Sequence, residues 1–172
     1  MAYLKKQPNY IFYINLHLNN LMKKIFFLII SFFILVSILE ANIDNISNLF
    51  TRYLAEVHKI DKLPKDQTYI VVNLLSCPFC IPLYCSEIEK IYSDKERKFY
   101  PTLIVVGNTK NPPDWFTDIA KNHKNIYYDS REFYNKINVT PNNCGIVVVK
   151  DGAITSKTII DTKNYKKLFE KI

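Results

Sequence analysis

Cys77 and Cys80, separated by two residues at the end of an apolar run, constrain this chain more than any other feature. Tyr69 to Leu75 (YIVVNLL) is short, β-branched and almost continuously apolar, the pattern of a strand buried on both faces of a parallel sheet. It leads directly into Ser76-Cys77-Pro78-Phe79-Cys80. Beyond the pair, Ile81, Tyr84, Cys85, Ile88, Ile91 and Tyr92 share one face at helical spacing, with Ser86, Glu87, Glu89 and Lys90 on the other. A C-x-x-C that ends a strand and opens a helix has specific chemistry. The first sulfur sits where free backbone N–H groups and the helix dipole favour an anion. Its pKa falls, so a nucleophilic thiolate is present near neutral pH. The second sulfur lies one turn on and can attack a mixed disulfide formed by the first. Cys77 is therefore the expected attacking thiol and Cys80 the resolving one. Pro78 suits a first turn, whereas Pro82 falls just inside the helix and should kink it or delay its regular start.

The remaining pattern alternates strands and helices. Ile43 to Ile60 carries one apolar stripe at helical spacing (Ile46, Leu49, Phe50, Tyr53, Leu54, Val57), followed by a polar loop, Asp61 to Gln67, that contains Pro64. Thr102 to Val106 is a second strand of the buried type. Pro112-Pro113 opens a helix with Trp115, Phe116, Ile119 and Ala120. Ile126 to Tyr128 reads as a short strand and Ser130 to Ile137 as a short helix. Gly145 to Lys150 (GIVVVK) is a strong strand, and Asp151-Gly152 signals a hairpin into Ala153 to Ile160. Thr162 is placed to cap a last helix with Tyr165, Leu168, Phe169 and Ile172 inward. This order predicts an α/β fold whose central sheet begins parallel and ends antiparallel, and so is mixed.

The first forty residues concern address. Met22-Lys23-Lys24 precedes Ile25 to Leu39, a run of fifteen residues without a charge. A signal-peptide core needs about 7–15 apolar residues and a spanning helix about 20. Residues 22–41 are thus expected to be a signal peptide cleaved after Ala41, or a short transmembrane helix kept as an anchor. Residues 1–21 resemble no signal front end, and translation starting at Met22 would explain them as an extension. The expected layout is this leader, an N-terminal helix over 42–61, and one domain over 62–172. Export places the protein in the periplasm, or tethered to the membrane and facing outside the cytoplasm.

Charge and composition exclude other classes. The formal charge is +7, but the lysines are scattered and no basic helix face interleaves with aromatics. A solvated Lys-rich surface, not a nucleic-acid interface, is the reading. Only three glycines occur, and neither phosphate-binding glycine motif is present. A zinc site would need partners for the C-x-x-C, and the sequence offers only Cys85, Cys144 and isolated histidines, with no second C-x-x-C. No metal ligand is assigned. Cys85 lies on the apolar stripe of its helix and Cys144 opens a strand, as buried free cysteines often do. The sharper alternative is a second Cys85–Cys144 disulfide, or a relay from Cys80.

A further motif, Asn138-Val139-Thr140-Pro141 ahead of GIVVVKDGAI, completes a layout that resembles the thioredoxin superfamily. The resemblance covers about Lys62 to Ile172. It implies a thioredoxin-like three-layer sandwich, with a central mixed sheet flanked by helices and the C-x-x-C at a helix N-terminus. It also implies a cis-proline at Pro141 beside the cysteines, and a substrate groove formed by Thr140, Pro141, Pro78 and Phe79. With its leader and the extra strand and helix before Pro141, the chain looks most like the TlpA/ResA-type extracytoplasmic oxidoreductases. Two positions depart from the family: Ser76 stands where many thioredoxins have Trp, and Val71 where thioredoxin has a buried acid.

The function expected on these grounds is thiol–disulfide exchange with cysteine-containing client proteins outside the cytoplasm. The Cys77–Cys80 disulfide is itself the redox centre, no other cofactor is needed, and a membrane redox partner recharges it. Two alternatives belong to other classes. One is the handling of a metal such as copper. The other is a non-catalytic interaction module in which Cys77–Cys80 is a structural disulfide.

Overall fold

A computed structural model describes the backbone of residues 8–172 except 138 and 141, and the side chains of 22–38 and 45–172 with the same two exceptions. The element order is α1 (Pro8–His58), β1 (Asp66–Asn73), α2 (Ile81–Ser93), β2 (Thr102–Val106), α3 (Asp114–Ala120), β3 (Ile126–Asp129), α4 (Phe133–Lys136), β4 (Gly145–Lys150), β5 (Ala153–Ile159) and α5 (Tyr165–Phe169). The chain divides into two compact units, Met1–Asn42 and Ile43–Ile172.

The second unit is built on one five-stranded sheet in the order β3-β2-β1-β4-β5. β1 lies at its centre, parallel to β2 and antiparallel to β4. Strand periodicity explains the layers: successive side chains point to opposite faces. Ile70, Val72, Leu103 and Val105 join Tyr84 and Ile88 of α2, Phe116 and Ile119 of α3 and Phe169 of α5 on one face. Tyr69, Val71, Ile104 and Val106 join Phe50, Tyr53 and Leu54 of α1 and Tyr134 of α4 on the other. Helices therefore cover both faces of a mixed sheet, as the alternation of elements predicts. The β4–β5 hairpin turns at Asp151 and Gly152, which both have positive φ (52° and 78°). This is the backbone that an Asp-Gly pair favours in a two-residue hairpin.

Local chemistry moves several boundaries. β1 begins at Asp66 and ends at Asn73, so the residues before the cysteine pair form a turn rather than more strand. α2 starts regularly at Ile81, with Pro82 in its first turn, where no backbone donor is needed. The delayed start expected from Pro82 is what the structure shows. α5 begins later than a Thr162 cap requires. The Asp161 carboxylate instead accepts the N–H groups of Lys163 (2.8 Å) and Asn164 (2.9 Å), so Asp161 organises that turn.

The expectation of a transmembrane helix over residues 22–41 is corrected. Among the described residues no helix is long and apolar enough to cross a membrane. The uncharged run has fifteen residues. At about 1.5 Å per residue that is roughly 22 Å, against a hydrocarbon core of about 30 Å.

A buried aromatic cluster fixes the end of α1 to the sheet. Phe50 packs edge-on against Tyr69 and Tyr134, and Tyr53 against Tyr134. His58 Nε2 is 2.9 Å from Tyr53 Oη, and its ring lies on Tyr127. Burial pushes the His58 pKa down to about 4, with the nearby Asp129 carboxylate opposing the shift. The folded protein therefore holds this imidazole neutral, while the unfolded chain protonates it near pH 6.5. The unfolded state binds more protons between those values, so stability is complete above about pH 6.5 and falls as the pH drops toward 4. Urea unfolding at pH 7 and pH 4.5 should show a loss on the order of 2 kcal/mol from this group, allowing for its partial exposure. His58→Gln should flatten that part of the acid limb; an unchanged pH dependence in the variant contradicts the assignment.

Candidate functional site

β1 delivers the chain to the site, and one polar residue shapes the exit. Asn73 is fully buried at the end of the strand. Its side-chain amide donates to Asn135 Oδ1 at 2.8 Å, and its own Oδ1 accepts the Leu75 N–H at 3.1 Å. Its carbonyl accepts both the Ser76 N–H (3.0 Å) and the Ser76 hydroxyl (2.7 Å). The polypeptide is thereby folded back on itself just before Cys77. Nothing in the apolar pattern of residues 69–75 assigns this role, although an Asn among β-branched residues is the one departure from that pattern.

The next turn carries the cysteine pair. The Cys77 carbonyl accepts the N–H groups of Cys80 (3.0 Å) and Ile81 (3.3 Å), and α2 follows at once. Cys77 and Cys80 are joined in a disulfide with Cα atoms 5.2 Å apart. The two ends of this bond are unlike. Cys77 is exposed, as are Pro78 and Phe79, whereas Cys80 is 6% exposed and packs into the core beneath α2. Phe79 stands 90% exposed between the cysteines, and Leu75 and Leu83 flank them as further exposed apolar side chains. The bond is thus open to attack at the Cys77 end.

Thr140 is placed differently from the remaining candidates. It is buried, with its hydroxyl 2.9 Å from Tyr134 Oη. It also packs on Gly145, where a Cβ would come within 2.6 Å of Thr140 Cγ2. Pro141, and the cis bond expected there, lie outside the described residues. Within the described part of this connection, Cys144 contacts the cysteine turn. Its sulfur accepts the Asn73 N–H at 3.3 Å and lies 3.4 Å from Ser76 Oγ.

Cys85 and Cys144 are both free and buried, and no disulfide joins them. Burial, followed by the charges of Glu89 and Cys144, pushes the Cys85 thiol up to about 12. Burial also raises the Cys144 thiol, partly offset by hydrogen bonds from Ser76 and the Asn73 backbone. Both thiols are protonated near neutral pH. Among the described residues, no group of three or more His, Cys, Asp or Glu side chains is placed to hold a metal ion.

A sandwich of helices on a mixed sheet, with a disulfide-forming C-x-x-C near a helix N-terminus, defines a thioredoxin-like fold with a redox-capable cysteine pair. No protein-family model matches the chain, and no curated protein matches it.

Proposed function

We propose that this protein is a thiol–disulfide oxidoreductase that acts on protein clients outside the cytoplasm, in the manner of the TlpA/ResA-type proteins. One observation carries the reading: the disulfide joins an exposed Cys77 to a buried Cys80 at the start of α2. That asymmetry suits a pair in which one sulfur meets the client and the other waits behind it. The Met22-Lys23-Lys24 cluster ahead of an uncharged run supports export.

In the reduced protein, the Cys77 thiolate attacks one sulfur of a client disulfide. The client S–S bond breaks, its other sulfur leaves as a thiolate, and a Cys77–client mixed disulfide forms. Cys80 then loses its proton and attacks Cys77 Sγ, displacing the second client thiolate. The client ends as a dithiol and the protein as the Cys77–Cys80 disulfide, so two electrons have passed to the client. A partner dithiol resets the pair by the same steps. Every step is reversible, and the relative potentials of the partners set its direction. The exposed side chains of Leu75, Phe79 and Leu83 give an unfolded or extended client an apolar surface to rest on.

The test is catalysis of insulin disulfide reduction by dithiothreitol. The protein at micromolar concentration should bring forward the onset of insulin B-chain precipitation several-fold. A time course identical to that without protein contradicts the reading.

A further inference from the structure

The exchange mechanism employs two of the chain's four cysteines. A third sulfur stands against the same turn. Cys144 is 1% exposed and immediately precedes β4, beside the end of β1. Three contacts bind its sulfur to the segment that presents Cys77. It accepts the Asn73 N–H at 3.3 Å, lies 3.4 Å from the hydroxyl of Ser76, and donates toward the Asn73 carbonyl at 3.7 Å. Ser76 is the residue immediately before Cys77. Cys144 and Cys80 also belong to one buried cluster beneath α2, whereas Cys77 is at the surface. Sequence separation hides this arrangement, since Cys144 contacts a residue 71 positions earlier.

We propose that Cys144 is a third exchange thiol of this site, able to take Cys80 from Cys77 and leave the disulfide buried as Cys80–Cys144. The inference rests on the Cys77–Cys80 pair being exchange-active. The step is balanced within the chain. Cys144 gives up its proton to solvent and its sulfur attacks Cys80 Sγ. The Cys80–Cys144 bond forms as the Cys77–Cys80 bond breaks. The electron pair goes to Cys77, which departs as an exposed thiolate. One disulfide and one thiol are present before and after, so no outside oxidant or reductant takes part. Cys77 is the natural leaving group, because its sulfur departs into water at the start of a helix while Cys80 and Cys144 stay in the core. Hydrogen bonds from Asn73 and Ser76 stabilise the attacking thiolate, while burial holds most of Cys144 protonated. The migration is therefore slow at neutral pH and speeds up as the pH rises. Cys85 lacks those two donors, and its thiol is pushed up to about 12.

The consequence is a chain with two oxidised forms. In one, the disulfide is open to clients at Cys77. In the other it is stored in the core, and Cys77 is free to form a mixed disulfide.

The test uses the full chain carrying Cys77→Ser, a change at an exposed position that leaves the core intact. After oxidation with diamide and blocking of free thiols, peptide mapping without reduction should find Cys80–Cys144 as the majority disulfide in monomeric protein. Cys80 found only free or in intermolecular dimers, with Cys144 still a thiol, overturns the proposal. A Cys80–Cys85 link overturns it too. In oxidised wild-type protein held at pH 9, alkylation of Cys77 should rise in step with loss of the Cys144 thiol. Cys77 that stays unalkylated is the contrary result. Equilibration of the wild-type protein with glutathione separates the two levels. If the Cys77–Cys80 pair does not equilibrate, the oxidoreductase reading itself fails. If it does while Cys77→Ser gives no Cys80–Cys144 link, only the third-thiol inference fails.

Discussion

Replacing Cys77 by serine should lower the rate of exchange with a protein disulfide by roughly a thousandfold or more, to the uncatalysed background. The thiolate is the nucleophile, and a hydroxyl at the same position does not ionise near neutral pH. Cys80→Ser should behave differently. The first attack survives, because Cys77 remains exposed at the turn into α2. Resolution is lost, so a Cys77–client mixed disulfide accumulates and is visible as a mass adduct before reduction. Cys85→Ser is the comparison. Its sulfur is buried on α2 and takes no part in the Cys77–Cys80 bond, so activity per folded molecule should stay within about twofold. Two cysteine variants with the same phenotype, both inert and neither forming an adduct, would mean that the pair has only a structural role.

The second large effect is on stability. Phe50→Ala should destabilise the protein by about 3–5 kcal/mol, a large part of the 5–15 kcal/mol typical of a domain. Phe50 is fully buried and packs against Tyr53, Tyr69 and Tyr134. Its loss removes apolar area from the core and leaves a space that the surrounding rings cannot all close. Thermal unfolding should move down by about 10–15 °C. Phe99→Ala is the control: that ring is 85% exposed, and its removal should change stability by less than about 0.5 kcal/mol. The contrast also bears on how much of the chain the fold needs. Phe50, Tyr53 and Leu54 form part of the core on one face of the sheet, so residues 62–172 expressed without α1 should leave much of that face uncovered and aggregate. A stable, monomeric 62–172 fragment is the contrary result.

The features legible in the sequence are those governed by local rules. The Asp-Gly pair specifies its hairpin because both residues tolerate positive φ. The runs TLIVV and GIVVVK are strands because successive β-branched residues favour the pleated, buried surface of a sheet over a helix. The stripe through Phe50, Tyr53 and Leu54 marks the face that α1 buries. Illegible features depend on what distant segments bring. Asn73 looks like an interruption in a strand, and only the fold shows it holding Asn135, Leu75 and Ser76. Asp129 is equally hidden: buried at the end of β3, it accepts the N–H groups of Arg131 and Tyr134 and so starts α4. Motif spacing directs attention to Thr140, whose hydroxyl pairs with Tyr134, but nothing local to Cys144, the residue just before β4, foretells its contact with Ser76. At the other end, a charge-free run suggests a membrane span, but its length falls short.

The reduction potential of the Cys77–Cys80 pair tests the central claim most directly. The full chain would be equilibrated in graded glutathione or dithiothreitol buffers, quenched in acid and alkylated. A reversible two-electron transition should appear between about −270 mV, the value for thioredoxin, and about −120 mV, the value for a strong disulfide donor. A pair that stays oxidised below about −300 mV, or never equilibrates, would be a structural disulfide and would contradict the proposed function.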